Sequence, residues 1–262
     1  MPTVSVAPAF ETFLYGVVNA SPDSLNADSI ATTPEAAVAR ANALIAQGCR
    51  GIDLGGQGST DAATVVDWSV EWARLEAIVP ALGALGVPVS IDTWRPEVAR
   101  RALRDGATVL NAADGMQLDA MWPVAAELAQ AVVLPFLNGP DPRQLRHIEA
   151  GADPVEVMLE WFDARLAVAD RFGLRSKMIL DPGTGFAPSA WPWEQRYVFQ
   201  KHVYSNLDRL RRYGLPIYIA LPWKETAQHD ELLEIVITQR VDYGRCHYPS
   251  KVVITARRLG FT

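Results

Sequence analysis

Polar residues recur at the ends of short apolar runs: Asn19, Asp53, Asp92, Asn111, Asn138, Asp181, Lys224 and the pair Arg245/His247. Their types suggest two kinds of chemistry. An ionised carboxylate such as Asp181 accepts two hydrogen bonds from an amidine-like edge. The same stretch, Asp181-Pro182-Gly183-Thr184-Gly185-Phe186, also has the composition of a tight turn. Arg245 and His247 stand two apart, so on a strand both point to one side and suit an anion. Asp92 has a plain alternative as a helix N-cap, Asn111 as a turn residue and Lys224 as a solvated lysine.

The elements that must position these residues alternate along the whole chain. Strands are expected over 13–19, 51–55, 87–92, 107–111, 131–137, 177–181, 216–221 and 241–246. Helices are expected over 34–47, 68–85, 95–104, 118–129, 154–172, 193–213, 229–240 and 249–259. The strands are continuous apolar runs, as in a parallel sheet covered by helices. Gly48, Gly86, Gly106, Gly173 and Gly214 mark helix ends. Eight such units predict an α/β fold, a (β/α)8 TIM barrel, with residues 1–262 as one domain. Such barrels keep their active sites where the strands end. Once the ring closes, Asn19 on the first strand neighbours Arg245 and His247 on the last, which favours an anion site there.

Composition narrows the classes further. The chain has 262 residues, 49% of them hydrophobic and 21% charged, the balance of a soluble globular protein. A net charge of −6 disfavours a nucleic-acid-binding or anionic-membrane surface. Cys49 and Cys246 are expected as free thiols in a reducing compartment. The N-terminus has no basic segment followed by an apolar run, so no signal peptide is expected and the cytoplasm is the default. Gly55-Gly56-Gln57-Gly58 does not complete a dinucleotide-binding fingerprint, because Asp61 stands where the last Gly belongs. His147, His202 and His229 fall on loops or helices and carry no comparable argument.

Taken in order, these segments resemble the dihydropteroate synthase family of pterin-binding barrels. The first strand ends in Asn19-Ala20-Ser21-Pro22-Asp23-Ser24-Leu25, similar to the family's N-V/A-T-P-D-S-F. Asp53-Leu54-Gly55-Gly56-Gln57-Gly58-Ser59-Thr60-Asp61 resembles D-I-G-G-E-S-T-R-P. Ser90-Ile91-Asp92-Thr93 and the segment from Leu180 to Phe186 match the family motifs intact, and Leu110-Asn111-Ala112 matches I-N-D. Pro222-Trp223-Lys224-Glu225 stands for S-R-K-S, and Arg245-Cys246-His247-Tyr248 for R-V-H-D. The resemblance implies that Asp92, Asn111, Asp181 and Lys224 hold a pterin ring, with Asp53 among the substrate-binding residues. It implies that Asn19, Arg245 and His247 hold a diphosphate, with Mg2+ near Asn19. Lys224, Arg245 and His247 are the expected catalytic groups. The implied reaction, a step of folate biosynthesis, joins 6-hydroxymethyl-dihydropterin diphosphate to para-aminobenzoate and expels diphosphate. A homodimer is also expected.

The departures from the family gather on one side of the reaction. Asp61 replaces the Arg of S-T-R-P, and Gly58 reads as an insertion. Leu25 replaces an aromatic residue, and Pro222-Trp223 replaces Ser-Arg. The pterin half is kept and the second-substrate half is rewritten. Three readings follow: a divergent synthase with ordinary substrates, a transferase with a different amine, or a pterin- or folate-binding protein without this transfer activity. The last includes a protein like the methyltetrahydrofolate-dependent methyltransferases. Their diphosphate residues have no reason to persist, so Asn19, Arg245 and His247 argue against it.

Overall fold

A computed structural model describes residues 9–24, 26–59, 63–149, 151–188 and 190–262. Eight parallel strands run in the ring order expected from the sequence: β1 Phe13–Asn19, β2 Gly51–Gly55, β3 Val89–Thr93, β4 Val109–Ala112, β5 Ala131–Pro135, β6 Met178–Asp181, β7 Tyr218–Ala220 and β8 Tyr243–Cys246. β1 pairs with both β2 and β8, and the pairing continues from β2 to β6 and from β8 to β7. Among the described residues one bridge, Leu180 opposite Ile217, joins β6 to β7 and closes the barrel.

The helices cover the outside: α1 Pro34–Ala46, α2 Trp68–Leu75, α3 Ile78–Gly83, α4 Pro96–Arg104, α5 Met121–Leu128, α6 Pro154–Arg171, α7 Trp193–Ser205, α8 Ala227–Thr238 and α9 Pro249–Arg258. The shape of α4 follows from its sequence. Val98, Ala99, Ala102 and Leu103 form the buried stripe, and Pro96 occupies the first turn, where no amide partner is lost. The helix expected over 68–85 is instead two, α2 and α3. Pro80 cannot donate to the carbonyl of Glu76, and its ring crowds that carbonyl, so the helix breaks there. The helix expected over 193–213 is α-helical only to Ser205 and continues as a 3-10 segment, Leu207–Tyr213. The helix expected from 118 starts at Met121, and that expected from 229 starts at Ala227, two residues before His229. Four strands begin two residues later than expected, at Val89, Val109, Tyr218 and Tyr243.

Alternation along the strands separates two cores. Residues pointing outward, among them Leu14, Val18, Ile52, Leu54, Ile91 and Leu110, pack under the helices. Residues pointing inward fill the lumen. Tyr15, Val109, Val133, Ile179 and Tyr218 form its floor, joined by Phe13, Ala131 and Tyr243. Gly51 is part of this packing: a Cβ there would lie 2.6 Å from the Tyr15 ring, which fills the space. The next inward residues toward the strand C-termini include Asp53, Asp92, Asn111, Asp181 and Arg245. The same period of two that makes a dry floor therefore puts a polar layer directly above it.

Candidate active site

Arg245 and Asp53 organise the polar layer. Arg245 Nε donates to Asp53 Oδ2 at 2.5 Å, and its Nη2 donates to Asp92 Oδ2 at 3.3 Å. Ser90 Oγ donates to Asp53 Oδ1 at 2.7 Å and Asn111 Nδ2 to the same oxygen at 3.3 Å. Asp53 is fully buried, while the side chains of Arg245 and Asp92 are 22% and 20% exposed. The fork of one guanidinium thus spans two carboxylates from adjacent strands. Asp92 does not cap a helix; α4 starts at Pro96, and its N-cap residue is Arg95, which makes no side-chain cap bond. Asn111 does not close a turn but serves the Asp53 network.

Asp181 ends β6 and is buried, and its Oδ1 accepts the amide of Gly183 at 2.8 Å. The turn read from the sequence is present here. Gly183 has φ +63°, and a Cβ would lie 1.9 Å from the Phe136 carbonyl oxygen, so only glycine closes this turn under the carboxylate. Burial lifts both acids toward neutrality. Asp181 rises to about 7 through burial, with the Gly183 amide and Arg245 pulling the other way. Asp92 also rises to about 7, through burial and then the Asp53 charge, partly offset by Arg245. Burial pulls the pKa of Arg245 down, but Asp53 and Asp92 more than reverse this, so it stays charged.

The anion end is less cationic than a basic pair implies. His247 is pushed down to about 3, first by burial and then by Arg245 and Arg40, so its ring is neutral. Its Nδ1 is buried without a hydrogen-bond partner, and its carbonyl accepts Arg40 Nη2 at 3.0 Å. Asn19 completes this end. Its Nδ2 donates to Ser24 Oγ at 3.0 Å and Ser29 Oγ at 2.7 Å. Its Oδ1 lies 3.3 Å from where a Cβ of Gly55 would stand, so that glycine leaves it room.

The connections after β1, β2 and β7 form the rest of the cleft. Tyr248 reaches the first loop, accepting Asn26 Nδ2 at 3.2 Å and donating to Asp28 Oδ2 at 2.9 Å. Gln57 pins the second loop from within, with Nε2 on the Thr64 carbonyl at 2.8 Å and Oε1 on the Val66 amide at 3.0 Å. Behind it the buried Glu71 accepts Thr93 Oγ1 at 2.8 Å and Arg95 Nη1 at 2.6 Å, while Arg95 also bonds the Val66 carbonyl. Asp61 and Leu25, two of the departures read from the sequence, lie outside the described residues.

One cleft of about 270 Å3 brings together Asn19, Asp92, Arg245 and His247 with Gln57, Trp223 and His229. Asp53, Asn111 and Asp181 lie beneath or beside it in the same polar layer. Lys224 is not brought in. It is exposed, with its ammonium 5.8 Å from the centre of the Trp223 ring. Asn138 lies three residues beyond the end of β5 and donates to the Arg146 carbonyl at 3.1 Å, holding a turn. His229 was missed by the sequence reading. It lies in the first turn of α8, where Thr226 caps both its amide at 3.3 Å and its Nδ1 at 2.8 Å. The Thr226-x-x-His229 spacing was the available signal. Cys49 and Cys246 are free thiols, 3.8 Å apart between β2 and β8.

Comparison with known proteins adds to this geometry. A family model described as pterin binding enzyme matches residues 15–231. A dihydropteroate synthase of Synechocystis sp. is 32% identical over 211 residues, covering 79% of this chain and 70% of the relative. Dihydropteroate synthase type-1 of Escherichia coli is 29% identical over 253 residues, covering 90% and 88%. Among solved structures, the Yersinia pestis dihydropteroate synthase with a sulfonamide drug superposes with a TM-score of 0.82 at 21% identity, covering 95% of this chain and 93% of that one. The Xanthomonas albilineans dihydropteroate synthase with 4-aminobenzoic acid gives 0.80 at 25% identity, covering 95% and 92%.

Proposed function

This chain belongs to the pterin-binding enzyme family that includes the dihydropteroate synthases, and from that premise we propose that it is a transferase of that type. It condenses 6-hydroxymethyl-dihydropterin diphosphate with an aromatic amine and releases diphosphate, as in folate biosynthesis. The observation that carries this reading is the convergence of Asp53, Asp92, Asn111, Asp181 and Arg245 from five strands onto one polar layer beside Asn19 and His247.

Asp181 takes the amidine-like edge of the pterin, and Asp92 and Asn111 take its remaining donors and acceptors. Fixed dipoles and charges in a partly dry site hold the ring without rearranging during reaction. The bond from the methylene carbon to the diphosphate oxygen breaks with its electron pair leaving on oxygen. The electron-rich ring spreads the positive charge on carbon, and the amine nitrogen attacks. Arg245, Asn19 and His247 face the departing charge. The neutral His247 becomes easier to protonate as that charge arrives, so its ring can take up a proton at the leaving group.

Magnesium fits the donor set at Asn19. Among the described residues no cluster of three His, Cys, Asp or Glu side chains could cage a metal. Mg2+ commonly keeps its waters and binds through few protein oxygens plus substrate phosphates. Asn19 Oδ1, left free by the serines that hold Nδ2, is such an oxygen. When bound there, the ion would neutralise the leaving diphosphate. Lys224 is kept as a pterin contact on the family pattern alone; it is exposed, with its ammonium over the Trp223 ring. The free thiols support a reducing, cytoplasmic setting, and among the described residues no helix is long and apolar enough to cross a membrane.

The test is an incubation with the pterin diphosphate, Mg2+ and para-aminobenzoate, following diphosphate and product by mass. Diphosphate release with a condensed product is expected with a suitable amine. Pterin binding without diphosphate release for any amine would favour a binding protein instead.

A further inference from the structure

The floor of the lumen carries a polar group that its packing does not use. Tyr218 is 1% exposed, and its ring packs with Tyr15, Val109, Val133 and Ile179. The ring centres of Tyr15 and Tyr218 lie 6.2 Å apart. Among the described residues the buried side-chain atoms without a hydrogen-bond partner are Arg40 Nε, His247 Nδ1 and the Tyr218 hydroxyl oxygen. The first two belong to the anion end, where Arg40 holds the His247 carbonyl. The Tyr218 hydroxyl lies inside the barrel. A buried hydroxyl left unbonded costs stability that a phenylalanine of the same shape would not.

The strand register places this hydroxyl under the pterin site. Leu180 bridges Ile217 across the β6–β7 seam, so the next residues, Asp181 and Tyr218, are neighbours on the inward side. Ala220, two residues on and inward like Tyr218, pairs with Arg245 and lines the cleft. The charges that act on the phenol are Asp53, Arg245, Asp181 and Asp92, the same groups that form the polar layer. Burial and then the Asp53 charge hold its pKa well above the ordinary value, so the hydroxyl keeps its proton and can donate.

The donors of the layer bond its own carboxylates. Arg245 Nε and Nη2 go to Asp53 and Asp92, and Ser90 Oγ and Asn111 Nδ2 go to Asp53. Asp92 and Asp181 suit the N–H groups of a ligand. A ring nitrogen or carbonyl oxygen on its buried edge needs a donor instead, and leaving it unmet is costly. We propose that the Tyr218 hydroxyl donates to such an acceptor on the buried edge of the bound pterin, making Tyr218 a specificity-determining residue of this site. The proposal rests on the transferase reading and adds a contact on its pterin side. The contact is the same before and during the reaction, so it acts on binding rather than on the chemical step.

The experiment uses the purified full chain and Tyr218→Phe, which removes only the oxygen. It measures 6-hydroxymethylpterin binding by calorimetry, unfolding in urea, and turnover with the pterin diphosphate, Mg2+ and para-aminobenzoate. The variant is expected to bind 6-hydroxymethylpterin about tenfold more weakly, the worth of one buried hydrogen bond. Its KM for the pterin diphosphate should rise while kcat stays within about twofold. Its urea midpoint should equal or exceed that of the wild type, because the free protein loses no bond. A pterin affinity within about twofold of the wild type overturns the proposal and leaves the transferase reading intact. A lower midpoint, or a variant that does not fold, means that the hydroxyl is bonded in the free protein, which also overturns it. A wild-type protein that binds no pterin removes the transferase reading and this proposal with it.

Discussion

Asp53, Asp92, Asn111, Asp181 and Arg245 stand on β2, β3, β4, β6 and β8, whereas Gln57, Trp223 and His229 stand on or just after the connections that follow β2 and β7. In the first group Asp53, Asp92, Asn111 and Arg245 are bonded across strands, each held by a neighbour whose position the sheet register sets, and Asp181 is held by the Gly183 amide of the turn that ends its strand. The second group is held by contacts within its own loop or helix start, as Gln57 is by Thr64 and His229 by Thr226. A loop residue can change without disturbing the barrel, while a strand residue carries its partners with it. This difference explains why the family pattern persists at the strand ends and departs in the connections.

The largest expected effect comes from breaking the strand-borne group at its centre. Arg245→Leu leaves the buried Asp53 carboxylate without its cation and should cost about 3–5 kcal/mol of stability. Urea unfolding measures it, and a loss under about 1 kcal/mol would mean that the group is not interlocked as described. Next, Asp181→Asn should weaken 6-hydroxymethylpterin binding by about a hundredfold in calorimetry, the loss of two charged hydrogen bonds. The same change should not destabilise the free protein. Asp181 has a folded pKa above its unfolded value, so ionisation costs native stability as pH rises from about 4 toward 7, and Asn avoids that cost. A variant that unfolds more readily at pH 8 than the wild type would contradict this sign.

A third effect sharpens the comparison by pH. Because Asp181 and Asp92 titrate at about 7 in the free protein, pterin affinity should rise with pH, by about tenfold per unit between pH 5 and 7 for one acid, and level off above 8. A flat profile would show that the ligand does not need the ionised form. The smallest effect is expected on the loop side. Lys224→Ala should change pterin affinity less than about threefold, as for an exposed side chain. A tenfold loss would mean that ligand draws this lysine inward, and the boundary between the two groups would then have to move.

The barrel was legible because its strands are short apolar runs separated by glycine-ended helices, and each of the eight strands lies where that pattern puts it. The misplaced helix limits have local causes, as at Pro80, which was read through rather than as a break. In the site, Asp53, Asp92, Asn111, Asp181 and Arg245 were legible because a period of two fixes which side of a strand faces the lumen. Lys224 was not, because no such period governs a loop, and its direction depends on solvent and on Trp223. Ser90 was missed although it shares the inward side with Asp92, two residues on, because a serine beside an aspartate carries no distinctive signal. The low pKa of His247 could not be read, since it depends first on burial and then on Arg245 and on Arg40, the last from α1 some 200 residues earlier in the chain.

The bridge between Leu180 and Ile217 gives the ring a time dependence. The seam between β6 and β7 holds fewer backbone bonds than the pairings of β1 through β6, so its amides should be the first strand amides to exchange with deuterium. Asp181 borders that seam directly. A ligand bound by Asp181 on one side and by groups beyond β7 on the other would act as a strut across it, and slowed exchange there would report occupancy before any product forms.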